Sequence, residues 1–507
     1  MPRRETKRSE KSAAAVVAER SGGRDGVEAL LTRDEPAQGK GPNGREGESA
    51  VSLERSRRQK FAQAELPLTG RGEAPRGQRS GEGQTATYGN EHPGTDRLME
   101  RAVEGGNVKA ALKRVRQNKG SPGIDGMTVD ELVPWLVGNW EAVRAQLLNG
   151  TYQPKPVREQ EIPKSGGGVR KLGIPTVLDR LIQQSLLQVL QPMFDPTFSE
   201  HSHGFRPGRS AHDAVCEAQR YIQEGRRVVV DVDLEKFFDR VNHDVLMGKL
   251  EKRIGEKRML RLIRRYLQAG IMANGVVMER HEGTPQGGPL SPLLANLLLD
   301  EVDKELEKRG LAFVRYADDC NVYVRSKRAG EDVMQLLKQL YGRLRLRINE
   351  AKSAVDRPWN RKFLGYSFWV APGQQVKRKV APKALEVMKE RIRGITDRNG
   401  GRSMTKVFAE LRSYLPGWKQ YFHLADTPGV FRELDAWIRH RLRMVQLKQW
   451  KRRKTAIREL LKLKVPMWLA KQAATNRSWW RNSCKALNTA LPNSYYDQHQ
   501  VPRLANS

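Results

Sequence analysis

The chain has 507 residues, room for two to four domains each with its own core, and its 91 Lys and Arg against 58 Asp and Glu leave a net charge of +33. Such a surplus repels itself in a compact fold unless phosphate neutralises it, so a protein with no acidic partner is disfavoured. Three scattered cysteines, Cys216, Cys320 and Cys484, exclude a zinc ribbon or disulfide framework and suit a reducing cytosol, and no stretch of about 20 apolar residues exists to cross a membrane.

Residues 1–92 are rich in Arg, Glu, Gly, Ser and Gln and poor in aromatics. They cannot bury enough apolar surface to offset ordering entropy, so a disordered basic arm is expected, either touching RNA or simply solvated. The opening segment has basic residues but no sustained apolar core, so it does not read as a secretory signal. Residues 93–143 read as helical. LMERAVEGGNVKAALKRVRQNKG forms a helix or helix pair ended by the turn-rich GSPGIDG, and Thr128 with Glu131 makes a capping box for the next helix. From 144 to 370, short β-like runs alternate with helical periods, and Asn242 is expected to cap the helix that follows it. Residues 371–480 turn helical, basic and Trp-rich, and 481–507 read as a C-terminal tail.

The most informative stretch is FVRYADDCNVYV, residues 313–324. β-prone residues flank a short acidic apex, which predicts a hairpin with Asp318 and Asp319 at its tip. Adjacent carboxylates repel, and a bound cation is a reason to keep them together; an ordinary solvated Asp-Asp turn is the other reading. Earlier in the chain, VVVDVDLEKFFDRVNHDVL begins as a buried strand that places Asp231 and Asp233 on one face. A carboxylate at a strand end, beside a hairpin bearing two more, is the arrangement that two-metal phosphoryl transfer requires. Its ligands are all hard oxygens, which favours two Mg²⁺ ions over zinc.

With these residues in view, the sequence resembles the reverse transcriptases of the group II intron family. Tyr316-Ala317-Asp318-Asp319 matches the YADD box, and Asp233 with Phe237-Phe238-Asp239 matches the first catalytic box. Further matches follow in family order: Ile162-Pro163-Lys164 with Arg170 to Pro175, Gly204 to Ser210, Pro285 to Pro292, Asn349 to Lys352, and Phe363 to Tyr366. The resemblance implies an α+β right-hand polymerase, in which fingers and palm carry an antiparallel sheet and a helical thumb follows. It implies metal-binding Asp233, Asp318 and Asp319, a triphosphate clamp of Lys164 and Arg170, and Gln286 near the incoming nucleotide. Lys352 is implied as general acid toward pyrophosphate, a surface lysine being the other reading. Phe238 stands where the family places an aromatic against the sugar, leaving no room for a 2′-hydroxyl, though one of Phe237 and Phe238 is expected in the core. Arg206 and Arg209 are implied to line the template.

The resemblance continues through the C-terminal third as the thumb and maturase region, around Gly417-Trp418 and Tyr421-Phe422. There Leu434, Trp437, Ile438, Leu442 and Val445 recur at helical spacing as a core stripe. The other face, with Arg443, Lys451 and Arg452 among its cations, suits an RNA backbone. The expected partners are group II intron RNA, a DNA target and primer strand, and dNTPs, in the bacterial cytosol. No Cys-rich endonuclease segment is present in the sequence, so no endonuclease activity of its own is expected. The leading reading is a polymerase and maturase that serves intron splicing and mobility. A splicing-only maturase conflicts with the intact carboxylates, and a domesticated reverse transcriptase of defence or repair has no need of a complete thumb region. A viral RNA-dependent RNA polymerase conflicts with Phe238.

Overall fold

The structure, a computed structural model, describes residues 97–163, 169–273, 276–278, 282–284, 287–475 and 486–505. The arm expected over residues 1–92 lies outside them.

Among the described residues three helices come first: α1 (Leu98–Ala102), α2 (Gly105–Gln117) and α3 (Val129–Leu148). The Thr128–Glu131 capping box forms as the sequence predicts. The Glu131 carboxylate accepts from Thr128 N at 2.8 Å, and the Thr128 hydroxyl accepts from Glu131 N. Strands β1 (Val157–Pro163) and β2 (Val169–Ile174) pair antiparallel and lead into α4 (Val177–Phe194). Asp179, in the first turn of α4, is buried, and it is held there by the hydroxyls of Thr176, Tyr152 and Tyr266. After α5 (Ala211–Gln223) and β3 (Val228–Val232), α6 (His243–Glu251) starts on Asn242, whose side chain accepts from Val245 N as expected. Helix α7 (Lys257–Gln268) precedes β4 (Ile271–Ala273) and β5 (Val276–Met278), which complete a sheet in the order β2-β1-β4-β5.

The palm follows: α8 (Ser291–Lys308), β6 (Ala312–Tyr316), β7 (Asp319–Val324), α9 (Lys327–Arg343) and β8 (Ala354–Asp356). Its sheet runs β6-β7-β3-β8, antiparallel throughout. Side chains alternate between faces along a strand, and both faces of this sheet are covered. Val228, Val230, Val232, Phe313, Val322 and Val324 join a core shared with the fingers. Val229, Val314 and Tyr323 join a second core shared with the thumb. The VVV run is therefore buried on every residue, which is why it reads as continuous rather than alternating hydrophobicity.

A hairpin of β9 (Tyr366–Val370) and β10 (Val376–Val380) leads into helices α10 (Pro382–Ile395), α11 (Met404–Tyr421) and α12 (Pro428–Gln449), then α13 (Arg453–Lys462) and α14 (Met467–Thr475). The all-helical region expected from 371 thus begins with a strand, because β10 pairs with the Tyr366 strand that precedes the boundary. The expected tail also differs. Helices α15 (Ala486–Ala490) and α16 (Asn493–Gln498), with the residues after them, pack against the thumb, where Leu487, Leu491, Tyr496, Val501 and Leu504 are buried. Their apolar surface is too widely spaced to read as one periodic element, but it closes a core once α12 is beside it.

Candidate active site

The predicted hairpin is present. Tyr316 pairs with Asp319 across a two-residue turn of Ala317 and Asp318. Ala317 has φ 57°, a left-handed conformation uncommon for a residue with a Cβ. Gly204 is why the turn can sit where it does: a Cβ on Gly204 would lie 2.2 Å from Ala317 N. Asp233 follows β3 directly. Its backbone N donates to Ser353 Oγ at 3.0 Å and its carbonyl accepts from Asn349 N at 2.8 Å. The loop that carries Lys352 is thereby laced to the first catalytic strand, and Lys352 Nζ lies 3.3 Å from Asp233 Oδ1.

The carboxylates feel one another. Burial in the cleft and the charges of Asp318, Asp231 and Asp233 push Asp319 up to about 7, although part of its side chain meets solvent. Burial also raises Asp318, with Asp233 adding to it and Arg170 opposing it. Asp231, which sequence spacing put on the face of Asp233, is ion-paired rather than left open. Arg361 donates to it from Nε at 2.8 Å, and the Asn321 amide, oriented to satisfy its neighbours, donates to Oδ1 at 2.9 Å. Among the described residues no three carboxylate, imidazole or thiolate side chains stand close enough to make a finished metal cage. The site nonetheless fits a divalent cation: its ligands are hard oxygens, their mutual repulsion is relieved by positive charge, and a lysine already contributes some.

Phe237 is the core member of the aromatic pair. Phe238 meets it edge-on at 5.0 Å between ring centroids and is only half-buried. The segment after it is pinned by Thr284 N donating to Phe238 O at 2.7 Å. Lys164 and Gln286 lie outside the described residues. The glycines after Gln286 cross to the fingers: Cβ atoms on Gly287 and Gly288 would meet Gly173 O at 2.7 Å and Gln183 Oε1 at 2.4 Å. Their lack of side chains is what allows this approach.

Two of the arginines expected at RNA have other work. Arg206 is buried, donating to the Asp195 carboxylate from Nε at 3.0 Å and to the Ser202 carbonyl at 3.0 Å, so it braces the loop instead of lining a template. Arg443 is also buried: its Nε donates to Leu491 O at 2.9 Å and its guanidinium lies over the Tyr496 ring. The C-terminal segment covers the face of α12 that periodicity alone left open, which corrects the expectation for Arg443. Arg209 keeps partial exposure and pairs with Glu200 at 2.7 Å. Lys451 and Arg452 are exposed at the turn between α12 and α13. Sequence reading missed Arg361 and Arg315. The available signal for Arg315 was a lone charge in the apolar run FVRY, which can be buried only with a partner.

Comparison with known proteins gives two matched families. The profile described as "Reverse transcriptase (RNA-dependent DNA polymerase)" matches residues 162–368, and "Group II intron, maturase-specific domain" matches residues 385–464. "Protein YkfC" of Escherichia coli (strain K12) is 31% identical over 300 residues, which cover 51% of this chain and 79% of that protein. "Group II intron-encoded protein LtrA" of Lactococcus lactis subsp. cremoris is 37% identical over 206 residues, 40% of this chain and 34% of LtrA. "Putative COX1/OXI3 intron 2 protein" of Saccharomyces cerevisiae is 32% identical over 202 residues, 39% of this chain and 23% of that protein. The matched stretch thus spans about a third or less of the two intron proteins.

Proposed function

We propose, from the premise that this chain belongs to the group II intron-encoded reverse transcriptases with a maturase-specific domain, that it copies RNA into DNA and assists the splicing of its own intron RNA. The observation that carries the polymerase half is the meeting of the Asp318–Asp319 turn, Asp233 and Lys352 in one cleft at the palm. Asp233, Asp318 and Asp319 would hold two Mg²⁺ ions, which when bound would supply charge at the attacking 3′-hydroxyl and the leaving pyrophosphate. Lys352, paired with Asp233 at 3.3 Å, is the group that gives a proton to the leaving pyrophosphate. Arg170, with Lys164, holds the triphosphate, and Gln286 meets the nucleotide or its template base. Phe238 presents its ring edge to the sugar and denies space to a 2′-hydroxyl. The substrates are dNTPs, a DNA primer and an RNA template, and the maturase half holds intron RNA through exposed cations such as Lys451 and Arg452.

The test is direct. Asp318→Asn and Asp233→Asn are each expected to abolish primer extension while leaving intron RNA binding nearly intact, because the ions serve chemistry and not docking. Extension by either variant at the wild-type rate removes the metal assignment. Among the described residues no helix is long and apolar enough to cross a membrane.

A further inference from the structure

Arg315 lies one residue before the YADD tyrosine and is wholly buried, as is its partner Asp303. Its guanidinium has five N–H donors, and each has an acceptor. Nε donates to both Asp303 oxygens, at 2.8 and 2.9 Å, and Nη2 to Asp303 Oδ2 and to Ser202 Oγ at 2.7 Å. Nη1 donates to Asn296 Oδ1 and to the carbonyl of Ala317, both at 2.9 Å. The Asn296 amide in turn donates to Gly204 O at 2.8 Å, and Gly204 is the residue packed against Ala317 N. Asn296 and Asp303 are seven residues apart on α8, two turns on one face, so a single rigid helix supplies both acceptors.

Burying such a pair is costly, and well-packed apolar side chains of similar volume commonly serve stability equally well. Stability alone therefore does not account for it. What an apolar pair cannot do is hold the Ala317 carbonyl, and Ala317 is the non-glycine residue with a positive φ at the turn that presents Asp318. A strained conformation persists only where its surroundings over-determine it. Here the carbonyl is gripped by Arg315 and the amide side is walled by Gly204, both tied to α8 through Asn296.

We propose that Arg315 is a positioning residue: clamped by Asp303 and Asn296, it fixes the Ala317–Asp318 turn in the conformation in which Asp318 takes a divalent cation. The inference rests on the polymerase reading above and deepens it. The planar fork is essential, because an ammonium in the same place can pair with Asp303 but cannot reach Asn296 Oδ1, Ser202 Oγ and the Ala317 carbonyl together.

Two variants of the full chain test this. Arg315→Lys keeps the buried charge balance and loses the fork. The double variant Arg315→Met with Asp303→Leu removes both charges, so neither is left alone. Mn²⁺ affinity, followed by electron paramagnetic resonance without primer or template, is expected to weaken about tenfold in both, and kcat on a primed RNA template to fall about tenfold or more, as small misplacements in an active site do. KM for dNTP and affinity for intron RNA are expected to stay near wild type. A folded variant with wild-type Mn²⁺ affinity and turnover overturns the proposal. So does failure of both to fold, which would make the pair a support of the palm core. Mn²⁺ binding is read without catalysis, so a wild-type chain that binds Mn²⁺ but extends no primer would count against the polymerase reading and not against this one.

Discussion

Phe237 and Phe238 are neighbours with different fates, since Phe237 is buried in the palm core and Phe238 packs against that core half-buried, its carbonyl held by Thr284 N. Phe238→Ala is expected to leave the fold intact and raise ribonucleotide use, because the space for a 2′-hydroxyl opens while Phe237 holds the core. The ratio of dNTP to rNTP incorporation measures it, and an unchanged ratio would place the sugar contact elsewhere. Arg443 makes the opposite case, a cation whose work is structural. Arg443→Met leaves the Leu491 carbonyl without its donor, so unfolding in denaturant is expected to show a loss of about 1 to 3 kcal/mol. Affinity for intron RNA, measured where the variant is folded, should hardly change, and a large loss there would return Arg443 to the RNA face.

At the scale of elements, α5 is fastened to the edge of the palm sheet by a compact cluster. The segment 201–203 pairs with Arg315 of β6, and Glu217 of α5 receives His201 Nδ1 and His203 Nε2 on its two oxygens, each at 2.7 Å. The bond to Glu217 raises His201 above the usual histidine range. Burial works against ionised Glu217, but bonds from His201, His203 and Tyr221 outweigh it and hold that carboxyl well below the usual range. A raised histidine contributes stability that is complete below its unfolded pKa and is lost as pH rises through the folded one. A depressed carboxylate contributes above its unfolded pKa and loses that contribution as pH falls through the folded one. The two overlap between the ordinary glutamate and histidine values, so the melting-temperature gap between wild type and Glu217→Gln is expected to be widest near pH about 5 to 6 and to narrow on either side. A gap that does not vary with pH would mean the cluster is held by packing alone.

Among the described residues two hydrophobic cores lie against the two faces of the palm sheet, and Asp233, Asp318 and Asp319 stand at the ends of its strands β3, β6 and β7. The chain's net charge of +33 does not put every arginine at the surface, since Arg206, Arg315, Arg439 and Arg443 are buried. Lys451 and Arg452 remain exposed. Reversing both to Glu is expected to weaken intron RNA binding and to flatten its log-log salt dependence by roughly 0.7 to 0.9 for each phosphate that is no longer neutralised. Extension on a short primed template should fall much less, because the palm is untouched. Equal loss on both substrates would make this turn an ordinary thumb element, and no loss at any salt would make its charge merely solvated.

The sequence by itself determined the parts whose cause is local. A short turn flanked by β-prone runs forms a hairpin, here Ala317 and Asp318 with Asp319 opening the second strand, Thr128 and Glu131 satisfy each other's backbone within one turn, and Asn242 caps the helix beside it. The order of the boxes likewise identified the family without coordinates. Tertiary structure alone decided which charges face outward. Arg206 and Arg443 look like RNA ligands until Asp195 and Leu491, 11 and 48 residues away, supply their acceptors. Arg315 looks like a break in a strand until α8 lies across it. Periodicity records which face of one element is apolar. It cannot record which distant segment will cover the other face, because that depends on the surface remaining once every element has packed.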